Sequence, residues 1–286
     1  MSDSVLLMGA VAYDPKVVTI WEGFRRWLRE SGLPFDFLLY SNYERQVEDL
    51  LAGRICAAWN SPLAWLRAER LAGAAGRSVR AAAMRDTDRD LTSVIVVRTD
   101  SAVSALADLR GRTVAVGAVD SPQATLIPLA HLRAAGLRPG ADVTVRRFDV
   151  GVGLHGDHIG GERAAARALA AGQVDAACMI DANHLVFTQE GTLAPDGTRI
   201  LAQTAPYDHC NMTVVDTAPA ELADQFVALL LAMSYEDPAV RPLLDLEGLR
   251  VWRDGRTSGY AQLDTAVDQS GFYDGHGRVT AAEYAP

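Results

Sequence analysis

The stretch LLAGRICAAWNS (residues 50–61) decides the fold, because a helix end, a glycine and an apolar strand ending at Asn60 follow one another directly. The stretch LAAGQVDAACMID (169–181) repeats this layout and ends at Asp181. Each stretch closes a β-α-β-α-β pattern, so the chain contains this unit twice. Two such units predict two lobes with a cleft at the carboxyl ends of their strands, where open α/β sheets bind ligands.

Composition limits the classes of protein that fit this chain. The chain has 286 residues and a hydrophobic content of 49%, which is enough to bury the core of one large or two medium domains. The formal charge of -9, from 27 basic and 36 acidic residues, argues against nucleic acid as a partner. No apolar run approaches the roughly 20 residues that span a bilayer. Three cysteines without a CxxC pair predict neither a disulfide framework nor a zinc ribbon.

The first 17 residues, MSDSVLLMGAVAYDPKV, lack a basic leader, and their apolar run is too short for an export signal. This segment therefore predicts a first β-strand. We expect a cytoplasmic protein, unless a leader was trimmed.

The alternation of strands and helices also predicts the lobe boundaries. The β-branched run at 93–100 is expected to cross from the first lobe to the second, and the run at 212–217 is expected to return. The polar C-terminal stretch predicts no regular element. The expected lobes are residues 1–92 plus 212–286 for lobe 1, and residues 93–211 for lobe 2.

Three segments resemble the type 2 periplasmic-binding-protein family, most closely its phosphonate-binding, PhnD-like substrate-binding proteins. They are RICAAWNSPLAWLRA (54–68), DLRGRTVAVGAVDSPQATLIPLAHL (108–132) and the helix-glycine-strand segment that ends at Asp181. The resemblance covers nearly the whole chain and implies an α/β fold with two lobes, each a β-sheet flanked by helices, and a ligand cleft between them. It also implies that the loop at 120–128 grips an oxyanion at a helix N-terminus, which favours anions.

Polar side chains follow the predicted strands of both lobes at the ends that face the cleft. They are expected to hydrogen-bond a small polar or anionic metabolite, although ordinary turn chemistry explains each one taken alone. The candidate substrate-binding residues are Tyr13, Tyr40, Ser41, Asn42, Asn60, Ser61, Ser121, Gln123 and Thr125.

Histidine, cysteine and carboxylate side chains in the second lobe and its return segment predict a metal site. The candidate ligands are His155, His158, Glu162, His209 and Cys210. Imidazole and thiolate ligands favour a transition metal such as iron, zinc or copper. Two alternatives stay open: the histidines hydrogen-bond across a closed interface, or protonated histidines bind an anion directly.

These patterns together predict a metal-dependent enzyme of undefined reaction class on a substrate-binding-protein scaffold. Its catalytic groups would be His184, Asp181 and Cys210, acting as acid, base or nucleophile. The alternative function is that of a noncatalytic solute-binding component of a phosphate- or phosphonate-type ABC transporter, or of a sensor. An ABC permease is an expected partner only under this alternative.

Overall fold

The computed structural model describes residues 5–156 and 160–286. Its strands form two separate sheets. The first sheet has the strand order β11-β4-β10-β3-β1-β2. Its strands are β1 (Leu6–Val11), β2 (Phe35–Tyr40), β3 (Ala57–Asn60), β4 (Val79–Arg85), β10 (Asn211–Val215) and β11 (Trp252–Asp254).

The second sheet contains the remaining five strands in the order β7-β6-β8-β5-β9. These strands are β5 (Ser93–Arg98), β6 (Thr113–Val116), β7 (Thr144–Arg147), β8 (Ala176–Ile180) and β9 (Thr198–Gln203). The chain passes between the two sheets through residues 86–92 and again through residues 204–210. We call these segments the first and second crossovers.

Helices connect the strands and cover the sheets. They are α1 (Lys16–Glu30), α2 (Tyr43–Leu51), α3 (Pro62–Ala74), α4 (Ile127–Ala134), α5 (Gly160–Ala170), α6 (Asp181–Gln189), α7 (Ala220–Ala232), α8 (Arg241–Glu247) and α9 (Ala261–Ser270). A single π-helical turn, Pro122–Leu126, leads into α4. No helix in the described parts of the chain is long and apolar enough to cross a membrane.

The repeated unit predicted from the sequence is present in both sheets. Parallel strands β2-β1-β3 form one copy, and parallel strands β7-β6-β8 form the other in the same spatial order. The predicted two-lobed α/β fold is therefore confirmed. We refer to the part built on the first sheet as lobe 1 and to the part built on the second sheet as lobe 2.

The run at 93–100 does not cross between the lobes as the sequence predicted. Its strand β5 lies inside the second sheet, antiparallel to both β8 and β9, and four of its residues are completely buried valine or isoleucine. A strand buried on both faces reads as a continuous apolar run, which the sequence alone does not distinguish from a connecting strand. The crossing is made instead by the charged residues 86–92.

The C-terminal stretch, expected to be irregular, forms β11 and α9. Helix α9 contacts α3 of lobe 1 as well as α4 of lobe 2. Its neighbours Phe272 and Tyr284 join an apolar cluster that includes Leu63 of α3 and Ile127 of α4. The end of the chain therefore ties the two lobes together.

Candidate functional site

A cavity of about 260 Å³ lies between the two lobes. Both crossovers and the first turns of α5 and α6 contribute to its wall. The lining residues are Arg85, Thr87, Asp88, Leu91, Gln123, Gly156, Glu162, Ile180, Ala182, Asn183 and His209. This is the position at the carboxyl ends of strands where open α/β sheets hold ligands, and its volume suits a small solute.

Arg85, at the end of β4, pairs with one carboxyl group of the first crossover and one of lobe 1. Its Nε donates to Asp88 Oδ2 at 2.5 Å and its Nη2 donates to Asp88 Oδ1 at 2.9 Å. Its Nη1 donates to the carbonyl oxygen and to Oε1 of Glu247. Burial acts to raise the pKa of Asp88, but Arg85 and His209 outweigh it and lower that pKa to about 2. The guanidinium is thus already committed to two protein carboxyl groups.

Glu162 supplies the opposite wall of the cavity from the first turn of α5. Its side chain is buried, and its Oε2 accepts hydrogen bonds from the backbone N–H of Ile180 at 3.0 Å and from Asn183 Nδ2 at 2.8 Å. Burial raises the pKa of Glu162, although these two hydrogen bonds, a further one with the side chain of Gln123 and the nearby His209 act to lower it. No arginine or lysine in the described ranges forms an ion pair with this carboxyl group.

Gln123 completes this wall from the π-helical turn that precedes α4. Its Nε2 donates to the carbonyl oxygen of Gly156 at 2.7 Å, which fixes the orientation of the amide. Its Oε1 is buried without a hydrogen-bond partner. Ser121 caps the same turn by accepting the backbone N–H of Ala124, so its hydroxyl stabilises the turn.

A hydrogen-bonded chain crosses the interface beside the cavity, and we call Ser61, His155 and Glu44 the interlobe bridge. Ser61 Oγ lies 2.5 Å from His155 Nδ1, and His155 Nε2 lies 3.0 Å from Glu44 Oε1. The ring of Tyr43 stacks on that of His155 with centroids 4.7 Å apart. Burial acts to raise the pKa of Glu44, but His155 outweighs it, and the pKa is lowered to about 2.

The predicted metal ligands divide between different environments. Asp88, His209 and Cys210 form a group whose candidate ligand atoms all lie within 4.8 Å of one another. His155 belongs to the interlobe bridge, and Glu162 accepts hydrogen bonds from lobe 2. His158 lies outside the described residues. A metal at the first group would share the Asp88 carboxylate with Arg85, so metal binding by His209 and Cys210 stays a prediction.

Most of the predicted substrate-binding residues of lobe 1 hold local structure. Asn42 caps α2 by accepting the backbone N–H of Arg45, with Ser41 beside it, and Tyr40 donates to Asp49. Asn60 is completely buried and hydrogen-bonds Gln46 and Thr213. Tyr13 packs against the core of lobe 1. Of the nine predicted residues, Gln123 lines the cavity; Thr125 is buried in the same helical turn.

The predicted catalytic groups of lobe 2 are also engaged in hydrogen bonds. His184 Nε2 lies 3.0 Å from Thr198 Oγ1, and burial lowers its pKa. Asp181 accepts a hydrogen bond from the hydroxyl of Thr92 at 2.8 Å. These contacts hold α6 against neighbouring elements of the second sheet and the first crossover.

The sequence analysis missed Arg85, Asp88 and Asn183, which line the cavity. Arg85 and Asp88 belong to the run MRDTDRD at residues 84–90, where charged residues interrupt two apolar strands. That interruption is the signal that marks the first crossover. Asn183 gives no comparable signal, because its position depends on where α6 begins.

The fold and the cavity define a class: two-lobed, type 2 binding proteins that enclose a ligand between lobes. The family model described as "ABC transporter, phosphonate, periplasmic substrate-binding protein" matches residues 9–266. The chain belongs to this family. None of the curated proteins matches it in sequence.

Solved structures support the same fold. PhnD1 from Prochlorococcus marinus in complex with methylphosphonate has a TM-score of 0.68 at 14% identity, covering 93% of this chain and 97% of that one. XAC2383 from Xanthomonas citri bound to ATP has a TM-score of 0.70 at 19% identity, covering 93% and 98%. A binding protein component of an ABC phosphonate transporter from Pseudomonas aeruginosa (PA3383) has a TM-score of 0.62 at 13% identity, covering 92% and 85%.

The prediction of a metal-dependent enzyme is wrong. The family that matches nearly the whole chain consists of substrate-binding proteins of ABC transporters, which are not enzymes. The described histidines that motivated the prediction, His155, His184 and His209, belong to separate hydrogen-bonded groups. The catalytic roles assigned to His184, Asp181 and Cys210 therefore lose their basis.

Proposed function

We propose that the protein is a noncatalytic solute-binding protein that encloses one small molecule in the cavity between its lobes. The observation that carries this proposal is that both crossovers and both lobes line the same cavity. A solute there would touch both lobes at once, so its binding would favour the closed arrangement over an open one. Family membership supports an ABC permease as the partner that receives the solute.

The cytoplasmic location stays a prediction, because neither the family model nor the fold tests it. A sensor with the same cavity would need no permease. In both cases the solute is bound and released unchanged.

The test is calorimetric titration of the purified protein with a broad panel of small phosphonates, sulfonates, amines and amino acids. Asn183→Leu places a larger apolar side chain in the cavity wall and removes a hydrogen bond to Glu162. We expect this variant to lose binding of any solute that the wild type binds. Asp224→Asn, at a separate cavity lined by lobe 1 alone, serves as the matched control and should bind normally.

Two results would contradict the proposal. Unchanged affinity in Asn183→Leu would place the solute elsewhere on the protein. Chemical conversion of the bound solute during incubation would show that the protein is an enzyme and not a noncatalytic binding protein.

A further inference from the structure

We propose that the solute carries a cationic nitrogen, such as a protonated amine or an amidine, which binds against Glu162 and Gln123. This inference rests on the proposed function and specifies the class of solute. The argument begins from what the cavity offers as donors and acceptors. A plain oxyanion requires free donors or a free cation, whereas a cationic nitrogen requires acceptors and a negative charge.

The basic side chains among the described residues that line the cavity are Arg85 and His209, and both lie against Asp88. Arg85 is the only arginine or lysine among the described residues that line the cavity. Four hydrogen bonds already run from this guanidinium to Asp88 and Glu247. An anionic group placed beside Arg85 would compete with two protein carboxyl groups and would meet the repulsion of the Asp88 carboxylate.

The helix start that faces the cavity in lobe 2 is occupied by the protein's own carboxylates. The backbone N–H of Ile180, just before α6, donates to Glu162, and the backbone N–H of Ala182 donates to Asp181. A helix N-terminus attracts anions through such groups. Because protein carboxylates already satisfy these two amides, this end of α6 favours a solute of the opposite charge.

The lobe 2 wall of the cavity offers two hydrogen-bond acceptors to a solute with a cationic nitrogen. Glu162 is a buried carboxyl group that has neutral hydrogen-bond donors but no ion pair among the described side chains. Burying a carboxylate without a counter-ion is costly, and a cation supplied by the solute would offset that cost. Beside Glu162, Gln123 Oε1 is buried without a hydrogen-bond partner, and the bond from Nε2 to the carbonyl oxygen of Gly156 fixes Oε1 as an acceptor.

The inference is tested with four probes in calorimetric titrations. Aminomethylphosphonate and 1,4-diaminobutane carry a cationic nitrogen, whereas methylphosphonate and ethanesulfonate do not. We expect at least one amino probe to bind, and aminomethylphosphonate to bind more tightly than methylphosphonate. Glu162→Gln keeps the shape of the side chain but removes its charge. It should weaken binding of the amino probe by about 10- to 100-fold, the loss expected for one charge-assisted hydrogen bond.

Glu190→Gln is the matched control, because Glu190 belongs to the same lobe but pairs with Arg163 at the surface. It should leave the affinity unchanged. Circular dichroism of Glu162→Gln would show whether the variant is folded, and retained binding of any non-amino solute would show that its cavity is intact.

Equal or tighter binding of methylphosphonate than of aminomethylphosphonate would overturn the inference. So would an amino probe that binds Glu162→Gln as tightly as the wild type. Binding by none of the four probes also overturns it, while the proposed function is judged separately by the broad panel and the Asn183→Leu variant.

Discussion

At the scale of single residues, the interlobe bridge shows how the same side chains serve chemistry in one protein and closure in another. Serine, histidine and glutamate in a hydrogen-bonded row resemble a catalytic triad in composition. Here all three are buried and none lines the cavity. Ser61 Oγ also accepts the backbone N–H of Ala64 at the start of α3. The row therefore holds lobe 2 against the helix starts of lobe 1.

A change of Glu44 to glutamine tests the energetic role of this row. The pKa of Glu44 is lower in the folded protein than the ordinary value of 4.5. A carboxyl group of this kind stabilises the fold above its unfolded pKa, and that contribution is lost as the pH falls towards the folded value of about 2. Between about pH 4.5 and 2, the wild type should lose about 3 kcal/mol more of its free energy of unfolding than Glu44→Gln.

Urea unfolding at a series of pH values measures this difference. The control is Glu236→Gln, because the side chain of Glu236 is 89% exposed. Parallel pH profiles for the wild type and Glu44→Gln would show that the carboxylate contributes nothing to the interlobe contact.

At the scale of elements, the loop from Gly151 to Gly156 carries the histidine of the bridge and the floor of the cavity. Asp120 accepts the backbone N–H groups of Gly153 and His155 and thereby shapes this loop. Gly156 has a φ of +62°, and a Cβ there would lie 2.6 Å from Ser121 Oγ. Position 156 therefore requires glycine, both because of its backbone conformation and because Ser121 approaches it closely.

Gly156→Ala should therefore weaken solute binding as well as stability. Gly191→Ala is the matched control, since Gly191 has a φ of +81° but nothing lies within 4 Å of a Cβ at that position. Both variants should lose roughly 1–2 kcal/mol through the left-handed backbone. Only Gly156→Ala should also reduce affinity, because moving Gly156 displaces Gln123. Calorimetric titration separates these effects, and equal affinities in both variants would contradict the packing argument.

The sequence predicted elements well where periodicity was strong, and poorly where burial depended on distant segments. Helix α1 buries Val17, Ile20, Trp21, Phe24 and Leu28, the face that its spacing predicted. Strands β3 and β8 also lie where the repeated apolar stretches indicated. The cavity was only partly predictable, because Gln123 and Glu162 of lobe 2 face Arg85 of lobe 1 only through the packing of the two lobes. Asn183 is placed by the start of α6, which no local pattern marks.

At the scale of the whole molecule, α9 and the segment that follows it make the two lobes one cooperative unit. Phe272 packs in the cluster that contains Leu63 of lobe 1 and Ile127 of lobe 2. Its ring centroid lies 4.8 Å from that of Tyr284. Unfolding either lobe exposes part of this cluster, so the intact protein should unfold in a single transition.

Phe272→Ala should lower the free energy of unfolding by about 3–5 kcal/mol and should also separate the unfolding of the two lobes. The five tryptophans lie at positions 21, 27, 59, 65 and 252, all outside the segments that form the second sheet. Tryptophan fluorescence therefore reports on lobe 1, whereas far-ultraviolet circular dichroism reports on both lobes. In urea the two signals should coincide for the wild type and diverge for Phe272→Ala.

Phe226→Ala is the control, because Phe226 packs in the core of lobe 1 alone. It should be destabilised by a similar amount, with the two signals still coinciding because the cluster shared by the lobes is intact. Coincident signals in Phe272→Ala would show that other contacts suffice to couple the lobes.

The stacking of Tyr43 on His155 has a consequence for magnetic resonance. Their rings are stacked with nearly parallel planes, at an interplanar angle of 14°, and they belong to different lobes. The ring current of Tyr43 should shift the imidazole protons of His155 upfield in the closed protein. The chain has six histidines, and the shifted imidazole signal of His155 would report the closed arrangement in solution without any label. When the cleft opens, this signal would return to an ordinary chemical shift.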